Sequence, residues 1–387
     1  MSKLLDSKLI NKLREIVTNE DLFWKDPVQK GNWNLICATM DRLDSSVLYI
    51  NDHVEYSEKE NDIILFIVHC SIIKDVIYQV SHTLGIDCSN KENIFYKYAK
   101  DYNLIQNEED YNNYGDRKNH ADDKFYEYLR SLIFAHPIET SFAIPSRLPG
   151  EIQYSPYILS DRFDFHNDYI NTIGVMIYSN KREMFHICIK FDDLKEYIRL
   201  KFEKINAIIN AFQEIINNKE KEWSSRKVNR NQDNDAILLE VIDILNERYL
   251  DDSDIKKLYD YLTCSISNES NIEIVNEFRK KIIKAIPIIC DCIDNMNYEE
   301  LYQITNHLLN PYIREVYPMM HYQLEKIYSY LNDDGYGDIY WGLTQADLFS
   351  KEFAKDWVNI NIVGMSFIEI KLLVTIACYY QAQKEVK

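Results

Sequence analysis

Apolar residues recur every three or four positions over most of this chain, the spacing of one face of a helix. From residue 2 to about 105 the pattern is helical, opening with Leu4, Leu5, Leu9, Ile10, Leu13 and Ile16. A second stretch runs from Trp33 to about Ile50. A third, from Glu58 to about Leu84, is apolar around most of its circumference, as a central buried helix would be. Gly85 follows it as a C-cap candidate. Residues 106–120, rich in Asn and Asp, read as a polar connection. A further helix is predicted from near Ala121, carrying Phe125, Tyr126, Tyr128, Leu129, Leu132 and Ile133. It should stop at His136, because Pro137 disfavours the α conformation in the residue before it.

The period then changes. The segment FAIPSRLPGEIQYSPYIL holds Pro145, Pro149, Gly150 and Pro156 and reads as an irregular crossing with a unit boundary near it. YINTIGVMIYS and EMFHICIKF, joined by NKR, read as two β-strands with a polar turn. Asp192 and Asp193 open a long helix through Leu194, Tyr197, Phe202 and Phe212, since acidic residues suit a helix N-terminus. The charged, apolar-poor run 217–235 is the linker candidate, and helical spacing returns from Ala236 to the end. The Gly/Asp turn NDDGYGD at 332–338 carries Asp333, Asp334 and Asp338 without calcium-loop spacing, so it reads as a capped turn. No internal repeat is visible. The expected fold is mainly α, with a helical bundle over 1–145, a β-hairpin plus long helix over 146–216, a linker over 217–235 and a C-terminal helical unit over 236–387.

Composition agrees with a chain that buries a large core. Of 387 residues, 46% are apolar, and Tyr (29) and Phe (16) make much of that core aromatic. At roughly 150 residues per domain, two or three units are expected. The net charge of −18 argues against an extended face for duplex DNA, though it leaves room for a local basic cleft taking a short RNA element. The eight cysteines sit largely in apolar runs, and Cys290-x-Cys292 has no companion pair at zinc-ligand spacing, so no metal or cofactor is expected. The start MSKLLDSKLINK is polar. IILFIVHCSII and IVGMSFIEIKLLVTIACYY read as too short, or too charged at Glu369 and Lys371, to span a membrane. A cytoplasmic, reduced setting is the expectation.

The chemistry-bearing candidate is YLRSLIFAHPIET. Cutting RNA through its own 2′-OH needs a proton acceptor, a cation on the phosphorane and a proton donor for the leaving oxygen. A histidine suits the proton transfers and an arginine the phosphate. On an ideal helix Arg130 and His136, six residues apart, point about 120° away from each other. They converge only if the helix unwinds at His136 or if two copies of the motif meet across a dimer axis. The plainer reading pairs Arg130 with Glu127 one turn back and leaves His136 at a helix end near the dipole.

This segment resembles the HEPN ribonucleases, helical bundles with an Arg, a polar residue after it, and a His after four to six intervening positions. Here five residues, the first of them Ser131, separate Arg130 from His136, and Ala135, Pro137, Glu139 and Thr140 match the AHP-x-x-T ending of bacterial members. Ser131 departs from the more usual Asn, Asp or His. The resemblance covers about ten residues closely and 1–145 in architecture. It implies a metal-independent endoribonuclease of the abortive-infection, antiviral-defence or toxin type. The implied catalytic residues are Arg130 and His136 with Ser131 as polar helper, in a site completed by a homodimer. The alternative is a non-catalytic HEPN-like helical protein that binds nucleotide, RNA or a partner protein.

Other candidates read more simply as structure. His69 within FIVHCSII suits a core position, His186 lies on a strand, and His307 and His321 stand 14 residues apart without carboxylate spacing. Arg226, Lys227 and Arg230 beside Trp223 offer either an RNA contact, with cations on phosphate and an indole under a base, or a solvated linker.

Overall fold

Local capping marks the start of one long N-terminal helix and the end of the next. The computed structural model describes residues 3–18, 21–87, 92–115, 120–136, 138–140, 147–156, 158–159, 171–314, 317–332 and 337–386. They fall into two compact units, Met1–Ile216 and Asn217–Lys387. Unit one opens with α1 (Lys8–Thr18), α2 (Leu22–Lys25) and α3 (Pro27–Asp52). The Asp26 carboxylate starts α3 by accepting from Val28 N at 2.8 Å and Gln29 N at 3.2 Å, with Pro27 at the first helical position. Next comes α4 (Glu60–Leu84), closed by Gly85 at φ 68°, as its sequence foretold.

By length and composition alone α4, 25 residues at a mean hydropathy of 1.8 over its most apolar stretch, is long and apolar enough to cross a bilayer. This corrects the expectation that IILFIVHCSII is too short. Half of that stretch is buried inside unit one.

The polar connection at 106–120 is also corrected. After α5 (Tyr96–Asp101), it holds α6 (Glu108–Tyr114), capped by Asn107 Oδ1 accepting from Asp110 N at 2.9 Å. Tyr111 is fully buried there. Then α7 (Ala121–Arg130) runs directly into a π-helical turn, Ser131–Ala135. The supposed irregular crossing contains two short strands, β1 (Gln153–Tyr154) and β2 (Ile158–Leu159). The predicted hairpin is present as β3 (Thr172–Ser179) and β4 (Phe185–Lys190).

In the sheet β3 is central and every pairing is antiparallel. β4 lies along one edge, while β1 and β2 lie end to end along the other, with the register shifted by one residue between them. Thr140 makes a further antiparallel bridge to Gln153. The expected single long helix is two, α8 (Phe191–Glu203) and α9 (Ile205–Ser225), parted at Lys204. The hairpin therefore belongs to the same compact unit as the preceding helices, and no division falls near residue 146.

Unit two begins within α9. The first nine residues of the supposed 217–235 linker are helical, because its Lys, Glu and Trp residues extend a helix already under way. Then follow α10 (Asn234–Glu247), α11 (Ser253–Thr263), α12 (Ile272–Asp294), α13 (Tyr298–Leu309), α14 (Met320–Tyr330), α15 (Ile339–Glu352) and α16 (Phe367–Val386). Ile370, Leu372, Leu373, Val374, Ile376 and Ala377 of α16 are all fully buried, so this helix is the centre of its unit. The polar residues of α16 are answered internally. Buried Glu369 accepts from Ser267 N at 2.8 Å, and Lys371 Nζ donates to Asn332 Oδ1 at 2.8 Å. Asp338 caps α15 through Trp341 N at 3.1 Å, while Asp333 and Asp334 lie outside the described residues.

Candidate active site

Helix α7 is held on three sides by polar groups that its own sequence supplies, and this fixes where its C-terminal end points. At its start, Asp122 accepts from Ile94 N at 2.9 Å and Phe95 N at 3.0 Å, and from the Tyr111 hydroxyl. Asp123 faces α8, accepting from Tyr197 Oη at 2.7 Å and Lys201 Nζ at 2.8 Å. Both carboxylates are buried, and burial pushes the Asp122 carboxyl above its ordinary range even with those donors around it. Midway, Tyr126 Oη donates to Ile67 O on α4 at 2.8 Å; Tyr128 Oη donates to Gln153 Oε1 on β1 at 2.8 Å. Each hydroxyl sits at the end of a ring buried in the core, so the helix is located both by apolar area and by hydrogen bonds.

Where α7 ends, the hydrogen-bond spacing widens. His136 N donates to Ser131 O at 2.9 Å, an i→i+5 bond, and His136 leaves the helix at φ −144°, ψ 55°. Two local facts favour that exit. Pro137 has no N–H to extend the helix and disfavours α at residue 136. Ser131 Oγ is engaged with Thr140 Oγ1 at 2.5 Å, which ties the start of the turn to the chain just beyond it. Single π turns are uncommon and concentrate at functional sites.

The three motif residues meet different fates. Ser131 is buried, its hydroxyl spent on Thr140. Arg130 has 29% of its side chain exposed and pairs through Nε with Glu127 Oε2 at 3.0 Å and through NH1 with Asp75 Oδ2 at 3.7 Å. The Glu127 contact is the one-turn pair of the plainer reading, and it is present. His136 is exposed, and no hydrogen bond or ion pair engages its ring among the described residues. Nothing joins Arg130 to His136 directly. The turn does unwind at His136, as the motif requires, but within one chain it does not close into a dyad.

Sequence reasoning missed the group behind Arg130. Lys74, buried on α4, reaches Glu127 Oε1 at 2.5 Å and Asp75 Oδ1 at 3.2 Å. Burial alone would depress this ammonium, yet the carboxylates of Glu127, Asp75 and Asp123 together outweigh that and hold it above its ordinary value. Lys74 and Arg130 thus share two carboxylates, and Glu127 is gripped from both sides. The legible signal was a Lys-Asp pair inside an otherwise apolar helix.

An open cleft of about 640 Å³ adjoins the π turn. Leu132, Ile133 and Phe134 of the turn line it, as do Tyr154 and Tyr178 from the sheet. The Arg130 guanidinium lies over the ring of Phe134, 5.9 Å from its centre, and is not itself a lining residue. Beyond Thr140, Arg147 NH2 donates to Thr140 O at 2.5 Å and to Glu151 O at 2.7 Å. Glu151 is buried, which would raise its carboxyl; donors at Arg182 (2.7 Å), Leu148 N (2.9 Å), Gln153 and Ser179 pull it instead to about 2.

The second candidate set is committed elsewhere. Arg226 pairs with Glu247, Lys227 Nζ donates to Asp294 O, and Arg230 NH2 meets Asp291 at 2.7 Å and Asp294 at 2.6 Å. Trp223 is half-buried edge-on to Tyr249, with ring centres 6.2 Å apart. Val228 between these cations is buried, so residues 226–233 are pinned to unit two and do not form a loose linker.

Of the other histidines, His69 stacks on Tyr49 at 4.1 Å and touches Ser46 Oγ at 3.2 Å, and burial pushes its ring below the usual value. His186 lies against Tyr102 and His307 against Tyr379. Cys290 and Cys292 are buried in the core of unit two. Among the described residues, no group of three or more His, Cys, Asp or Glu gathers as a metal site would require. Neither protein-family models, nor curated proteins, nor solved structures give a match to this chain.

Proposed function

We propose that this chain is an endoribonuclease of HEPN type that cuts RNA through the 2′-hydroxyl, acting as a dimer. The observation that carries the reading is the π turn after α7. It delivers His136 to solvent with a ring that no other described residue engages, six residues after an arginine whose guanidinium lies over the Phe134 ring that lines a cleft. Neutral His136 accepts the 2′-hydroxyl proton as O2′ attacks phosphorus. The O2′–P bond forms and the P–O5′ bond breaks. Arg130 holds the phosphorane oxygens, and the second copy's His136, protonated, gives the leaving O5′ its proton. The products are a 2′,3′-cyclic phosphate and a 5′-hydroxyl. Ser131 has no part in the proton transfers, since its hydroxyl is buried on Thr140. It ties the turn in place.

Arg130 must exchange carboxylate for phosphate to act. The Asp75 contact, at 3.7 Å with Asp75 half exposed, is the weaker one and the one a phosphate displaces. The same double pairing favours the second reading, a non-catalytic helical binding protein in which Arg130 is structural. Purified protein incubated with total RNA and EDTA, beside His136→Ala and Arg130→Ala, separates the two. The nuclease reading expects cleavage that survives EDTA and falls at least 100-fold in His136→Ala, as loss of an acid–base group does. Equal cleavage by all three proteins, or toxicity unchanged by both substitutions, favours the binding protein.

A further inference from the structure

Phe134 and Ile138, two residues to either side of His136, both line the cleft beside the π turn. The turn that presents the histidine therefore also builds one side of the cavity. Its floor is apolar, with Leu132 and Ile133 buried beneath it. Tyr154 and Tyr178 from β1 and β3 supply aromatic walls, and Tyr178 is 43% exposed, so its ring is open to a ligand. Among the described residues, the charged group lining the cavity is Glu60, exposed at the first turn of α4. The Arg130 guanidinium lies over the ring of Phe134, 5.9 Å from its centre. The volume of about 640 Å³ falls in the range of small-ligand sites.

A ligand matched to this arrangement has a flat, largely apolar part, a hydrogen-bond donor for a carboxylate, and an anion one ring-width away. We propose that the cleft holds an unstacked nucleobase carrying an exocyclic amine, adenine, cytosine or guanine, next to the phosphate that reaches Arg130. This rests on the nuclease reading of the same turn and adds a base preference to it. Bases displaced from a single strand stack on tyrosine and phenylalanine faces. A carboxylate accepts from an exocyclic amine, as in Glu and Asp contacts to cytosine N4. Uracil has no exocyclic amine, and its one edge donor, N3–H, is flanked by two carbonyl oxygens that a carboxylate repels, so the cleft selects against it.

The test is equilibrium binding of 2′-O-methyl tetranucleotides of A, C and U, which lack the attacking hydroxyl, to the full chain. Partners are Tyr178→Ala, Tyr178→Phe and Glu60→Ala, each checked for folding by circular dichroism. The A and C oligomers should bind wild type, and U at least about fivefold more weakly. Tyr178→Ala should weaken A and C by roughly 5- to 100-fold, with Tyr178→Phe close to wild type. Glu60→Ala should erase the preference over U. Base-selective binding without RNA cleavage would uphold the cleft and sink the nuclease. Cleavage by a protein whose binding ignores base, Tyr178 and Glu60 would sink the cleft alone. No measurable binding of any oligomer would also overturn it.

Discussion

Charged side chains inside unit one come with partners, and their removal one at a time should be severe. Lys201 and Asp123 bury 96% and 93% of their side chains in mutual contact. Deleting one member strands the other in a poor dielectric, which typically costs about 3–5 kcal/mol. Lys201→Ala should therefore lose about that much in urea unfolding. A loss under about 1 kcal/mol would show that Asp123 is satisfied by Tyr197 and the backbone alone. Glu151 makes a pH prediction. Its carboxyl is held at about 2, below the ordinary 4.5, so it stabilises the fold fully above pH 4.5. That contribution is lost as pH falls from there through about 2. The thermal midpoint of the wild type should drop across this window, and Glu151→Gln should lower stability at pH 7 and flatten the drop. An identical acid profile for both proteins would contradict the role given to Arg182 and its neighbours.

Elements differ in how plainly their residues announce them. Gly85 ends α4 at φ 68° with open space where a Cβ would stand, so Gly85→Ala meets only the left-handed backbone penalty. It should destabilise by roughly 1 kcal/mol in chemical denaturation. A neutral result would mean that the helix end relaxes. That stop was readable, as were α4, α7, β3 and β4, because long apolar periodicity and a polar turn mark them. Helix α6 hides in a polar run with one buried residue, Tyr111, and β1 and β2 are two residues each, interrupted by Pro156. No glycine or proline marks the break at Lys204 between α8 and α9. The 217–235 run looked like a linker because it is charged, yet its Arg226 and Arg230 are spent on Glu247, Asp291 and Asp294. Proximity in space, absent from a local pattern, decided that. The motif itself was legible as residue types and as a helix stop. The π turn, the burial of Ser131 and the Lys74–Glu127 clamp were not, since each depends on a partner distant in sequence or on hydrogen-bond spacing.

At the scale of the molecule, one chain presents a histidine and a clamped arginine that do not meet, so the nuclease account is an account of a dimer. Specific activity should fall on dilution. A fivefold excess of His136→Ala protein should suppress the wild type by drawing it into mixed dimers, whereas undiminished activity would make each chain self-sufficient. The net charge of −18 fits such a division of labour, with RNA held at few points along an otherwise repelling surface. The most direct test of the central claim is the chemistry of the cut ends. RNA digested in EDTA should yield fragments whose masses carry a 2′,3′-cyclic phosphate, at a rate abolished by His136→Ala. Linear 3′-hydroxyl and 5′-phosphate ends, or cyclic ends made equally fast by the variant, would contradict it.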